Sequence, residues 1–118
     1  MKRIQRQRTK AFKLPPNTRC CTRGTKWGNP YKIVRSNGGT YSVWRISDGL
    51  QVHYSFGLSK EAAVNDALYL YGVLLNEKLR VGLLDLSELK SYDYLACFCS
   101  LEQKCHVDII IQKLEEMK

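Results

Sequence analysis

The sequence predicts an α/β protein: a small single-domain sheet, β-rich in its N-terminal half, completed by a helix-strand-helix unit in its C-terminal half. Two patterns carry that expectation. Residues 41–46 and 50–55 alternate apolar and polar side chains around Ser47-Asp48-Gly49, which is the pattern of a β-hairpin. Val64, Ala67, Leu68, Tyr71, Leu74 and Leu75 then recur every three or four positions, which builds one apolar face of a helix reaching about Glu77. Ser59 precedes that helix as its N-cap, ahead of Lys60-Glu61-Ala62-Ala63.

The other elements follow from local composition. Leu14-Pro15-Pro16-Asn17 is extended or turning, because proline restricts itself and its predecessor, and it closes a basic N-terminal arm, 1–17. A short strand at 18–22 leads into Arg23-Gly24-Thr25-Lys26-Trp27-Gly28-Asn29-Pro30, whose residues break regular structure. Residues 31–34 read as a strand and 36–39 as a turn. Residues 86–90 read as a short helix, 94–99 as a buried strand, and 106–117 as a terminal helix with Ile109, Ile110 and Leu114 inward.

The totals limit the function classes. A chain of 118 residues is long enough to bury a core without disulfides. No apolar run approaches the roughly 20 residues that span a bilayer, so no membrane partner is expected. The start, Met1-Lys2-Arg3-Ile4-Gln5-Arg6, lacks the apolar stretch of a signal peptide, which implies a cytoplasmic location and reduced thiols. The net charge of +8 is uneven. Eleven Lys and Arg residues and no acid fall before position 37, whereas the remainder holds eight basic and eleven acidic residues. Such a segment faces something anionic, such as nucleic acid or a nucleotide, or is simply a solvated basic arm.

Two segments could carry chemistry. In the first, Arg23, Lys26, Trp27 and Asn29 put two cations, an aromatic surface and an amide into one loop, suited to a phosphate with a stacked base. Arg6, Arg8 and Lys10 of the arm extend that cationic set, although no Gly-rich phosphate-loop pattern is present. The plain structural reading of the loop puts Trp27 on the core, and His53 in the hairpin reads as structural.

The second segment holds Cys97, Cys99, Cys105, His106 and Asp108 within twelve positions. In a strand Cys97 and Cys99 share one face and Phe98 takes the other. With Cys105 and His106 they form a possible zinc set, but Cys-x-Cys plus adjacent Cys-His departs from the usual ligand spacing, so zinc is not the preferred reading. The preferred one puts Cys105 and His106 at a helix N-terminus, where the dipole lowers a thiol pKa. Cys105 would then be a nucleophile, with His106 and Asp108 in acid-base roles. The bland alternative makes the cysteines packing residues.

Three segments together resemble a known family. They are Arg3-Ile4-Gln5-Arg6-Gln7-Arg8-Thr9-Lys10 with Pro16-Asn17-Thr18; Arg23-Gly24-Thr25-Lys26-Trp27-Gly28-Asn29-Pro30-Tyr31; and Leu95-Ala96-Cys97-Phe98-Cys99 through Cys105-His106-Val107-Asp108. They resemble the phage and bacterial family catalogued as domain of unknown function 4326, across nearly the whole chain. Ala11 stands where the family pattern has glycine, Arg19-Cys20-Cys21 where it has an apolar strand, Phe98 where it has tryptophan, and Val107 where it has a small residue. Cys20 and Cys21 fall outside the pattern, which makes them poor metal ligands. The resemblance implies no particular reaction.

The functional expectation is a nucleotide- or nucleic-acid-directed protein with one composite anion site, formed by the 23–30 loop and the 99–108 turn and partly closed by the arm. Such a site suits a nucleotide-processing transferase or hydrolase. It equally suits a non-catalytic nucleic-acid-binding module, or a phage accessory protein that binds a host protein or sequesters a signalling nucleotide.

Overall fold

The structure is a computed structural model that describes residues 1–8, 11–22, 24–36, 38–46, 49–51 and 58–116. It is an α/β protein whose chain divides into two compact units, Asn29–Asn76 and the pair of segments Met1–Gly28 and Glu77–Lys118.

The contiguous unit contains the hairpin. Strands β3 (Tyr31–Arg35), β4 (Tyr41–Arg45) and β5 (Leu50–Gln51) form an antiparallel sheet in that order, with Ile33 opposite Val43. The turn at 36–39 closes through Gly39 N–H to the Ser36 carbonyl, with Gly39 at φ 80, a left-handed value that glycine adopts without a Cβ clash. The rest of the expected strand at 52–55, including His53, lies outside the described residues.

Helix α1 (Lys60–Arg80) begins where expected, since the Ser59 hydroxyl accepts from the Ala62 N–H. It buries Ala63, Ala67, Tyr71 and Leu75, a stripe at strict four-residue spacing and narrower than the predicted face. Ala63 and Ala67 pack with Val43, and Tyr31, Ile33, Tyr41, Leu58 and Leu70 surround them. Two small residues on the helix let it lie close to the sheet.

The second unit is a three-stranded parallel sheet in the order β1-β6-β2, formed by β1 (Lys2–Gln5), β6 (Tyr94–Cys97) and β2 (Thr18–Cys20). Leu95, Ala96 and Cys97 are all buried, as a central parallel strand requires. The start of the basic segment is therefore not an arm but an edge strand. Helix α2 (His106–Glu116) packs on β1 and β6 and buries His106, Val107, Ile110 and Leu114; Ile109, expected inward, is only half-buried. The expected helix at 86–90 is a single 3-10 turn, Leu86–Leu89, capped by the Asp85 carboxylate on the Ser87 N–H.

Asn17 links the outer strand to the central one. It sits at φ 60, its side chain donates to the Ser91 carbonyl at 2.7 Å, and its own carbonyl accepts from Asp93 N–H at 3.0 Å. Asparagine tolerates this left-handed conformation better than most residues with a Cβ. Asn17→Ala, which loses the bond and adds strain, should cost about 1–2 kcal/mol, and Asn17→Gly under about 1 kcal/mol. Urea unfolding of the two variants would reveal that order.

Candidate functional site

The C-terminal end of β6 and the start of α2 bring together the cysteine, histidine and aspartate candidates. The strand expected over 94–99 ends at Cys97; Phe98 and Cys99 lie in the bend that follows, which keeps Cys99 beside Cys97. The start of α2 brings Cys105 against both.

There the Sγ atoms of Cys97, Cys99 and Cys105 all lie within 4.8 Å of one another, with Cys97 and Cys99 3.7 Å apart. The Cys105 Sγ lies 3.6 Å from His106 Nδ1. On the far side of that ring, Nε2 is 2.6 Å from the Cys21 carbonyl oxygen. A carbonyl only accepts, so Nε2 carries the proton, and in the neutral ring Nδ1 presents a lone pair towards the thiol. Cys105 and His106 are 2% and 6% exposed.

The three thiols shift one another's proton affinity in different directions. Hydrogen bonds from Cys105 and then Cys99 pull the Cys97 thiol down to about 2. The Cys105 thiol is pushed well above its ordinary range by its hydrogen bonds to Cys97 and Cys99 and by burial. For Cys99 the Cys105 contact pulls downward, but Cys97 and burial outweigh it and the net shift is upward. Cys21 is separate: burial pushes its thiol up to about 12. The shifts on Cys105 run against the lowering expected from the helix dipole.

Asp108 is also committed. Its Oδ2 accepts from the Cys105 N–H at 3.1 Å, which satisfies the amide at the N-cap of α2, while the Asp108 N–H closes the first turn on the Cys105 carbonyl at 3.0 Å. Its Oδ1 pairs with Arg3 Nε at 3.1 Å. The same guanidinium donates to the carbonyls of Ser100, Leu101 and Gln103 at 3.3, 3.0 and 2.9 Å. Arg3 thereby fastens the loop that returns the chain from Cys99 to Cys105. Its position among the basic residues marked it only as charge, and the usable signal was Asp108, an acid three residues into a helix.

Phe98, between the two cysteines in the bend after β6, meets cations instead. The Arg8 and Arg6 guanidinium carbons lie 4.4 and 5.3 Å from the centroid of the Phe98 ring. Arg8 and its neighbour Gln7 are exposed, Phe98 is half-buried, and Arg6 also donates to the Cys20 sulfur at 3.2 Å.

The 23–30 loop departs from its expected role. Trp27 is 0% exposed and offers no surface to a base; its large apolar area, not the glycines around it, decides where it goes. Lys26 is held by Glu88 at 2.6 Å. Asn29 is buried, with Oδ1 accepting from the Tyr31 N–H at 2.9 Å in an Asx turn, and it belongs to the other compact unit. Lys10 and Arg23 lie outside the described residues. Among the described residues, the candidates form a thiol-imidazole cluster and an arginine-aromatic surface just beyond the end of β6, while Lys26, Trp27 and Asn29 are engaged elsewhere.

These features define a small α/β protein with a parallel sheet whose central strand carries a cysteine cluster at its C-terminal end. The chain belongs to the family described as Domain of unknown function (DUF4326), which it matches over residues 4–116. Neither a curated protein nor a solved structure matches it. Among the described residues no helix is long and apolar enough to cross a membrane.

Proposed function

We propose that the chain is a cytoplasmic nucleic-acid- or nucleotide-directed binding protein of phage or bacterial type, and that Arg6, Arg8 and Phe98 form its contact surface. The observation that carries this reading is the pair of guanidinium groups stacked on one half-exposed ring. A stacked guanidinium keeps its N–H edges directed outward, where they suit phosphate oxygens, and the ring beside it suits a base. Arg8 makes no hydrogen bond or ion pair among the described residues. The binding reading is preferred over a transferase or hydrolase. Cys105 is buried with its thiol pushed up, both Asp108 oxygens are in use, and His106 Nε2 is bonded to a carbonyl.

The test is fluorescence anisotropy of a labelled single-stranded oligonucleotide against salt concentration, with mononucleotide as competitor. Affinity should fall steeply as salt rises, and Arg6→Ala and Arg8→Ala should each flatten the log-log slope by about 0.7. Each variant should weaken binding about fivefold at fixed moderate salt. Competition by mononucleotide at comparable concentration would identify a nucleotide site rather than a strand-tracking surface. Binding insensitive to salt and to both arginines would overturn the reading.

A further inference from the structure

We propose that Cys97, Cys99 and Cys105, through their sulfurs, and His106, through Nδ1, form a closed tetrahedral site for one zinc ion. This goes beyond the nucleic-acid reading and does not rest on it.

Two of the distances are those that zinc would impose. Zinc binds thiolate sulfur at about 2.3 Å and imidazole nitrogen at about 2.0–2.1 Å, so a tetrahedral ion separates two sulfurs by about 3.8 Å and a sulfur from a nitrogen by about 3.6 Å. Cys97 and Cys99 are 3.7 Å apart, and Cys105 Sγ is 3.6 Å from His106 Nδ1. All three sulfurs fall within 4.8 Å of one another, about 1 Å from the separation a tetrahedral ion needs, and His106 Nδ1 reaches the set beside Cys105.

Spacing along the chain argued against this set, but spacing rules describe ligands presented by one turn. Here two ligands come from the end of a strand and two from the start of a helix packed on it. The bend after β6 keeps Cys99 beside Cys97, and the 100–104 loop returns the second pair to them.

The surroundings match a metal-binding histidine. Such a ring ordinarily donates its other N–H to a carboxylate or a backbone carbonyl, which fixes its tautomer and its orientation. His106 Nε2 does this with the Cys21 carbonyl at 2.6 Å, leaving Nδ1 as the ligating atom. The Cys21 peptide is itself held, since its N–H donates to the Ala96 carbonyl at 2.8 Å. Arg3 and Asp108 hold the returning loop and the helix start. A packing role for three cysteines needs none of this arrangement.

On binding, each remaining thiol proton passes to solvent as its Zn–S bond forms, and the Nδ1 lone pair completes the fourth bond. No coordination position remains open, so the ion is structural: it ties the end of β6 to the start of α2.

Cobalt substitution tests the ligand set directly. The full chain, stripped with chelator under reductant, is titrated with cobalt(II) and then zinc. One equivalent of cobalt should give the intense visible bands of a tetrahedral ion with a sulfur-to-cobalt charge-transfer band, and one equivalent of zinc should abolish both. Cys99→Ser, at a half-buried position, and Cys105→Ser should each lower the charge-transfer intensity by about one third. His106→Ala should keep that band, shift the visible bands, and weaken zinc binding at least tenfold. Cys20→Ser should change nothing. A weak octahedral cobalt spectrum in the wild-type chain overturns the site. An unchanged spectrum in Cys99→Ser or Cys105→Ser overturns the thiol assignment, and one in His106→Ala removes the histidine.

Discussion

Trp27→Ala should destabilise the chain by about 3–5 kcal/mol, the usual cost of removing a fully buried large aromatic side chain. The indole is 0% exposed and lies in a tight turn, where the Thr25 hydroxyl and N–H both donate to the Thr22 carbonyl and the Gly28 N–H donates to that of Thr25. That turn cannot collapse into the space left behind without breaking its own bonds, so the cavity persists and the cost falls at the upper end. Equilibrium urea unfolding followed by helical circular dichroism would measure it. The milder Trp27→Phe should lose less stability and leave oligonucleotide affinity unchanged. Loss of affinity in a fully folded Trp27→Phe protein would return this residue to the binding surface.

Arg3→Ala should cost about 2–4 kcal/mol in the same assay. The substitution removes one ion pair and three hydrogen bonds to carbonyls from a side chain that is only 9% exposed. The loss is less than a sum of separate bonds would suggest, because Asp108 is half exposed and the freed carbonyls can reach water. Arg3→Lys should recover little, since a single ammonium cannot span four acceptors held in a planar fork. If Arg3→Ala were as stable as wild type, the loop from Cys99 to Cys105 would be held by other contacts.

The elements visible in the sequence were those whose burial follows a period. The four-residue stripe of α1, the alternation of β4, and the apolar turns of α2 are local patterns, and each formed close to its expected bounds. Strand β1 was hidden because Lys2-Arg3-Ile4-Gln5 carries two charges, and its pairing with β6 is set by residues near the other end of the chain. The cluster was legible as a list of ligand types but not as geometry: local spacing says nothing of a strand end meeting a helix start. Asp108 read as chemistry because a carboxylate beside a cysteine and a histidine suggests a relay, whereas its position in the first turn of α2 makes it a cap. Trp27 was misplaced by its neighbours, whose glycine, asparagine and proline describe the backbone and not the fate of the indole.

The parallel pairing of β1 with β6 bears on how the chain folds during synthesis. Arg3 meets carbonyls 97 to 100 positions later, and the central strand of its sheet is made only after the whole intervening unit. The unit at Asn29–Asn76 is contiguous and can fold while translation continues, but the parallel sheet cannot close until the distal strand has left the ribosome. For that interval the basic leader waits unpaired, with its arginines open to any polyanion nearby.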